Sequence, residues 1–264
     1  MTDNIWIFGD SFADRINPEP KSKLFQYENY HQLLEKKYTL HEHGKSGSSP
    51  EWTENRIFKV YPTSRKHNHH ALILLSDMHR QWLPDLSRND HNHTMHGIGD
   101  YPRQERKGIK AMMYQHSRSK IFVERWRRCL MGLRYSLQCA SFKNVLIVFC
   151  FPGDYIKSKP YHFLLNLPNV TIENRFVMYN LHAEDTPKDK FAESPDPRPN
   201  HMNPYNHAIF AKYVQNVLVE QKPYNPNFMS MNYSFKDKTW GNARTIELVI
   251  TQQQNSFAAK YDKN

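Results

Sequence analysis

No hydrophobic run in this chain is long enough to cross a bilayer, which excludes a membrane-spanning helix. The first apolar run, Ile5 to Phe8, is too short for a signal peptide and has no basic segment before it. A cytoplasmic protein without a signal peptide is therefore expected. Cysteine is scarce: Cys129, Cys139 and Cys150 are odd in number and lie in apolar or helical sequence, so buried free thiols are expected and a disulfide framework is not. The histidines His67, His69, His70, His91, His93 and His96 have no cysteine among them and match no zinc-ligand spacing. They read as solvated loop histidines, and neither a metal nor a cofactor is expected. No internal repeat and no recognised nucleic-acid motif is present. The net charge of +10 therefore reads as a solvated basic surface rather than a nucleic-acid footprint. Its one concentration is Lys120, Arg125, Arg127, Arg128 and Arg134 along a single expected helix.

What remains is a polar but globular composition, with 39% hydrophobic residues and a mean hydropathy of -0.80. Its 264 residues are enough for a sizeable core. Ile5-Trp6-Ile7-Phe8 reads as a strand buried on both faces, the habit of a parallel sheet. It is halted by Gly9-Asp10-Ser11. A helix is expected from about Gln26 to Lys37, then a short strand at Tyr38–His41. The stretch His43 to Pro50 suits a tight loop and a helix start, and Glu51–Tyr61 continues as a helix. Ala71–Leu75 and Val145–Phe151 are further apolar strands, separated by a long irregular region (about 81–110) and a helix from about Ala111 to Ala140. Val170–Ile172 is a weaker fifth strand, and a last helix runs from about Tyr205 to Val219. Strand and helix alternate, which predicts a doubly wound α/β sheet.

In such sheets ligands bind at the carboxyl ends of the strands. Ser11 stands at one such end. A serine there is placed to act as a nucleophile, and its backbone N–H to stabilise an oxyanion. Taken with Gly44-Lys45-Ser46-Gly47-Ser48 and the late block His201-Met202-Asn203-Pro204-Tyr205-Asn206-His207, this layout resembles the SGNH/GDSL hydrolase superfamily, with a softer likeness to divergent SGNH-like proteins of bacteriophage genomes. The resemblance covers residues 1 to about 220. It implies a flavodoxin-like three-layer α/β/α sandwich with a mostly parallel sheet, followed by an irregular extension (221–264). It also implies a serine esterase in which Ser11 is the nucleophile, His201 the general base, and Gly47 a backbone oxyanion donor, with His207 structural. Asp10 and Ser76 complete the expected substrate-binding set.

Two positions depart from the family pattern. Three residues before His201 stands Arg198 in place of an aspartate; Asp196 is the nearest acid, and a backbone carbonyl is the alternative partner for His201. After the third strand the family carries an asparagine that completes the oxyanion hole. Here that slot falls on Met78 or, with a shift of two residues, on Ser76, and neither restores the amide. The expected substrate is an O-acyl ester, such as an acetylated carbohydrate. The alternative is a weak or inactive scaffold of structural or virion-associated kind, whose residues 221–264 dock on a second copy or on another virion component.

Overall fold

The computed structural model describes residues 2–15, 28–45, 47–60, 68–76, 78, 80–82, 92–93, 107–108, 111, 119–150, 159–173 and 204–224. The apolar run at the amino terminus forms β1 (Asn4–Gly9), and it is the centre of the sheet's first half. On one side it pairs with β2 (Thr39–Gly44), on the other with β3 (His69–Leu75), both parallel. Two residues each, β4 (Gln81–Trp82) and β5 (Asn92–His93) form a separate antiparallel pair. The main sheet continues from β3 through β6 (Val145–Phe149) to β7 (Val170–Glu173), again parallel throughout. Its order is β2-β1-β3-β6-β7. With the small β4–β5 pair set aside, this is the flavodoxin-like order, whose ligand crevice lies between the carboxyl ends of β1 and β3.

Why the strands read as unbroken apolar runs is visible in the layers. Ile5, Ile7, Leu72, Leu74, Leu146 and Val148 face one side of the sheet. There they meet Tyr30 and Leu34 of α1 (Tyr30–Glu35) and Phe210 and Tyr213 of α4 (Pro204–Tyr213). The alternate residues, Trp6, Phe8, Ile73, Leu75, Ile147 and Phe149, face the other side. Ile57 of α2 (Pro50–Val60) and the stripe Phe122, Trp126, Cys129, Leu130, Leu133 and Leu137 of α3 (Ser119–Ala140) cover them. The apolar residues of the inner strands are thus offered apolar partners on both faces, and each fully buried Leu, Ile or Phe contributes roughly 1.5–3 kcal/mol. The result is the α/β/α sandwich that the resemblance implied.

Local signals set the helix starts. Asn29 caps α1 by accepting from Gln32 N (3.0 Å), and Gln32 Oε1 accepts in turn from Asn29 N (2.9 Å). This reciprocal capping box is worth about 1 kcal/mol.

Several boundaries differ from expectation. β2 extends through His43 and Gly44, which the sequence assigned to a loop. A 3-10 helix (Lys159–Leu165) was not expected at all. The last helix changes at Val214 to a π-helical segment, Val214–Val219. Cys129 and Cys150 are buried free thiols, as expected, and Cys139 is half-buried. Beyond α4 the described chain runs to Tyr224, whose ring packs 6.3 Å from that of Tyr213 and lies under Lys212 Nζ. The remainder of the extension (225–264) lies outside the described residues. Among the described residues no helix is long and apolar enough to cross a membrane.

Candidate active site at the carboxyl edge of the sheet

Two glycines make room for the turn after β1. Gly9 has φ +146°, and a Cβ on it would lie 2.3 Å from Leu74 O. A Cβ on Gly44, at the end of the neighbouring strand, would lie 2.2 Å from the carbonyl carbon of Ala13. Only glycine lets β2 and β3 close around the segment 10–14 in this way. The turn itself is hydrogen-bonded: Asp10 O accepts from Ala13 N and Asp14 N, both at 3.0 Å. Asp10 Oδ1 accepts from Phe12 N (3.1 Å), capping the turn that contains Ser11. From the β2 side, Lys45 N (3.0 Å) and Ser48 Oγ (2.9 Å) both donate to Gly9 O. Ser11 is 8% exposed and has no hydrogen-bond partner among the described residues.

The helix layer reaches the same turn. Tyr30 Oη donates to Phe12 O (2.7 Å), and His31 Nε2 donates to Ala13 O (3.3 Å). Tyr30 N in turn donates to His207 Nδ1 (3.3 Å), and the two rings stack at 5.9 Å. One residue, Tyr30, therefore bridges the backbone beside Ser11 to the start of α4, six positions after His201. His207 itself is buried. His201 and Asp196 lie outside the described residues, as do Ser46 and His79.

On the β2–α2 loop, Gly47 has φ +79°, and among the described residues a Cβ there would meet no atom within 4 Å. Its glycine answers to backbone conformation rather than to crowding. At the end of β3, Ser76 is buried and its hydroxyl accepts from Arg80 Nη1 (2.9 Å). Met78 is buried in the apolar cluster beneath α3.

The residue that the sequence did not reveal is Arg80. Asp10 is completely buried, and a buried carboxylate needs a counter-charge. Arg80 Nη1 supplies it at 2.7 Å from Asp10 Oδ2 and lies 3.4 Å from Ser48 O. The loop that bears Arg80 is held from behind by Arg125 Nη2, which donates to Met78 O (2.6 Å) and Arg80 O (3.1 Å). Arg125 Nε is 2.7 Å from Glu51 Oε1 in the first turn of α2. This corrects the reading of the basic helix: Arg125 faces inward as a brace. Arg134 bonds the carbonyls of Phe163 and Leu164, whereas Lys120, Arg127 and Arg128 are exposed.

Two histidines read as solvated loop residues, His69 and His70, are instead buried at the start of β3, and those around Trp6 pack as aromatic rings. Trp6 stacks on His41 (4.3 Å) and His43 (5.3 Å), and Trp6 Nε1 donates to His69 Nδ1 (3.0 Å). Burial first, then the nearby charges of Arg56 and His41, pushes His43 down to about 4. Among the described residues no cluster of metal-ligating side chains is present.

No family model matches the chain, and no curated protein matches its sequence. Among solved structures it is similar to a variant of Axe2, an acetyl-xylooligosaccharide esterase from Geobacillus stearothermophilus, at 11% identity and TM-score 0.46, covering 84% of this chain and 97% of that one. It is also similar to AlinE4, an SGNH-hydrolase family esterase, at 13% identity and TM-score 0.35, covering 99% and 97%. A third is EstA, a psychrotrophic esterase from Pseudoalteromonas sp., at 14% identity and TM-score 0.35, covering 65% and 77%. These likenesses are distant, and the fold rests on the strand order and layering described above.

Proposed function

We propose that the chain is a serine ester hydrolase of the SGNH type, with Ser11 as nucleophile and His201 as general base. The observation that supports this most is the Tyr30 bridge. It ties the Ser11 turn to His207, the last residue of the block that begins with His201. In the reaction, Ser11 Oγ attacks the acyl carbon while His201 takes the hydroxyl proton. Charge developing on the carbonyl oxygen is met by the backbone N–H groups of Ser11 and Gly47. The C–O bond to the alcohol then breaks, and His201 returns the proton to the leaving oxygen. Water, activated by the same imidazole, hydrolyses the acyl-enzyme and frees the carboxylic acid. Asp196 or a backbone carbonyl orients the ring and stabilises the imidazolium. The substrate class is an O-acyl ester, with a short acyl group on a carbohydrate as the specific reading.

With Met78 packed in the core and Ser76 bonded to Arg80, the hole lacks a side-chain amide from the β3 end among the described residues. The loss of one such donor costs on the order of 10²–10³ in rate, so slow turnover is expected. The same observation favours a second reading, an SGNH-like scaffold without useful turnover that acts as a binding or virion component.

A fluorophosphonate probe and p-nitrophenyl acetate separate the two. Ser11-dependent labelling and turnover, both abolished in Ser11→Ala, are expected. Equal labelling of wild type and Ser11→Ala removes the nucleophile assignment. A stable oligomer with neither labelling nor turnover supports the scaffold.

A further inference from the structure

We propose that Arg80 is a positioning residue of this site, setting the spacing of its two backbone oxyanion donors; the proposal rests on the ester-hydrolase reading. One atom, Arg80 Nη1, lies within hydrogen-bond reach of oxygens from three separate strand ends. These are Asp10 Oδ2 after β1 (2.7 Å), Ser48 O in the β2–α2 loop (3.4 Å) and Ser76 Oγ after β3 (2.9 Å). Asp10 is the neighbour of Ser11, and Ser48 is the neighbour of Gly47. Each residue assigned an oxyanion N–H is therefore one peptide unit from a group held by the same guanidinium. Asp10 passes the constraint on directly, because its other carboxylate oxygen holds Phe12 N (3.1 Å) across Ser11.

The brace is itself fixed. Arg125 holds the carbonyls of Met78 and Arg80, and it pairs with Glu51 at the start of α2. Glu51 follows Gly47 by four residues. The tethers thus form a closed circuit: β1 end, Arg80, β3 loop, Arg125, Glu51, α2, Ser48 and back to Arg80. Among the described residues the hole has no side-chain amide, which places the weight on its two backbone donors. Their separation must then match the developing oxyanion without reorganisation, and preorganised dipoles of this kind do most of their work through fixed spacing. A planar guanidinium at a buried carboxylate is suited to the task, because its donors are fixed in direction.

The test uses the full chain with p-nitrophenyl acetate. Variants Arg80→Met, Arg80→Lys and the double variant Asp10→Asn/Arg80→Met are compared with wild type, with folding monitored by circular dichroism. The expected result for Arg80→Met is a kcat lower by about 10–100-fold with KM within about twofold, the size of effect that a small misplacement produces. Arg80→Lys, which restores a cation to Asp10, should recover part of that loss. A purely structural role would lower the melting temperature and leave kcat of the folded protein unchanged, and that result overturns the proposal. If Arg80→Met does not fold, the double variant, which removes both buried charges together, is read in its place by the same criterion. If neither folds, Arg80→Lys decides: kcat reduced at unchanged KM supports the brace, and wild-type kcat overturns it. Wild-type turnover that is lost in Ser11→Ala but retained in folded Arg80→Met removes this proposal alone. Wild type that neither turns over nor labels at Ser11 removes the hydrolase reading and this proposal with it.

Discussion

Acid should unfold this protein partly through His43. Its ring is stacked between β-strand neighbours, 5.3 Å from both Trp6 and Phe8. Arg56 Nε donates to His43 Nδ1 (3.3 Å), a bond that only the unprotonated nitrogen can accept. The folded state therefore holds His43 neutral, with its pKa at about 4 instead of 6.5, for the reasons of burial and of the neighbouring Arg56 and His41. The unfolded chain binds the proton at higher pH than the folded one. The stability contributed by the neutral ring is thus present above about pH 6.5 and is lost progressively as the pH falls towards about 4. At about 1.4 kcal/mol per pH unit, the full shift corresponds to roughly 3 kcal/mol. The ring is partly exposed and solvent screens it, so about 1–2 kcal/mol is expected. Urea unfolding of wild type and His43→Phe, at about pH 7 and about pH 4.5, isolates this contribution. His41 and His70, which burial also holds below their ordinary values, are common to both proteins and cancel in the comparison. Wild type should lose about 1–2 kcal/mol more than His43→Phe between the two conditions. Identical losses would refute the reasoning.

Two further substitutions probe the turn after β1. Gly44→Ala puts a methyl 2.2 Å from the backbone of Ala13, so the Ser11 segment must shift. Thermal unfolding should show a loss of about 1–3 kcal/mol or more, and fluorophosphonate labelling of Ser11 should slow; a variant that melts like wild type would contradict the close approach. Tyr30→Phe deletes the bond to Phe12 O, so about 1 kcal/mol of stability should be lost. Chemical denaturation checks it, and an unchanged midpoint would show that the bridge between the Ser11 turn and α4 contributes nothing.

How much of this was legible in the sequence depended on how many neighbours each element has. β1, β3 and β6 have a strand on either side and helices on both faces, so almost every residue is apolar and the runs announce themselves. β2 is an edge strand, half-buried along most of its length, and its alternating His and Glu residues concealed its last two positions. The 3-10 helix at Lys159–Leu165 is too short to display a period. At the site, Gly9, Asp10 and Ser11 were picked out by turn chemistry, which is local, and Gly47 by the resemblance. Arg80 was not, because it lies 70 residues from Asp10 in sequence. What joins them is register: Gly9 is opposite Leu74, so Asp10 falls beside the loop that follows β3. Likewise Arg125 looked like surface until the helix was docked on α2. For His201 and Asp196 the comparison stops at the sequence, since both lie outside the described residues.

The order in which the sandwich is covered has a consequence for its birth on the ribosome. Tyr30 and Leu34 belong to the first helix, yet they share a cluster with Phe210, Tyr213 and Val214 of the last. At about 5–20 residues per second, roughly nine to thirty-five seconds of synthesis separate the two. Until α4 is made, α1 alone is available to cover the side of the nascent sheet formed by Ile5, Ile7, Leu72 and Leu74. This layer of the core therefore closes only when the two ends of the domain meet.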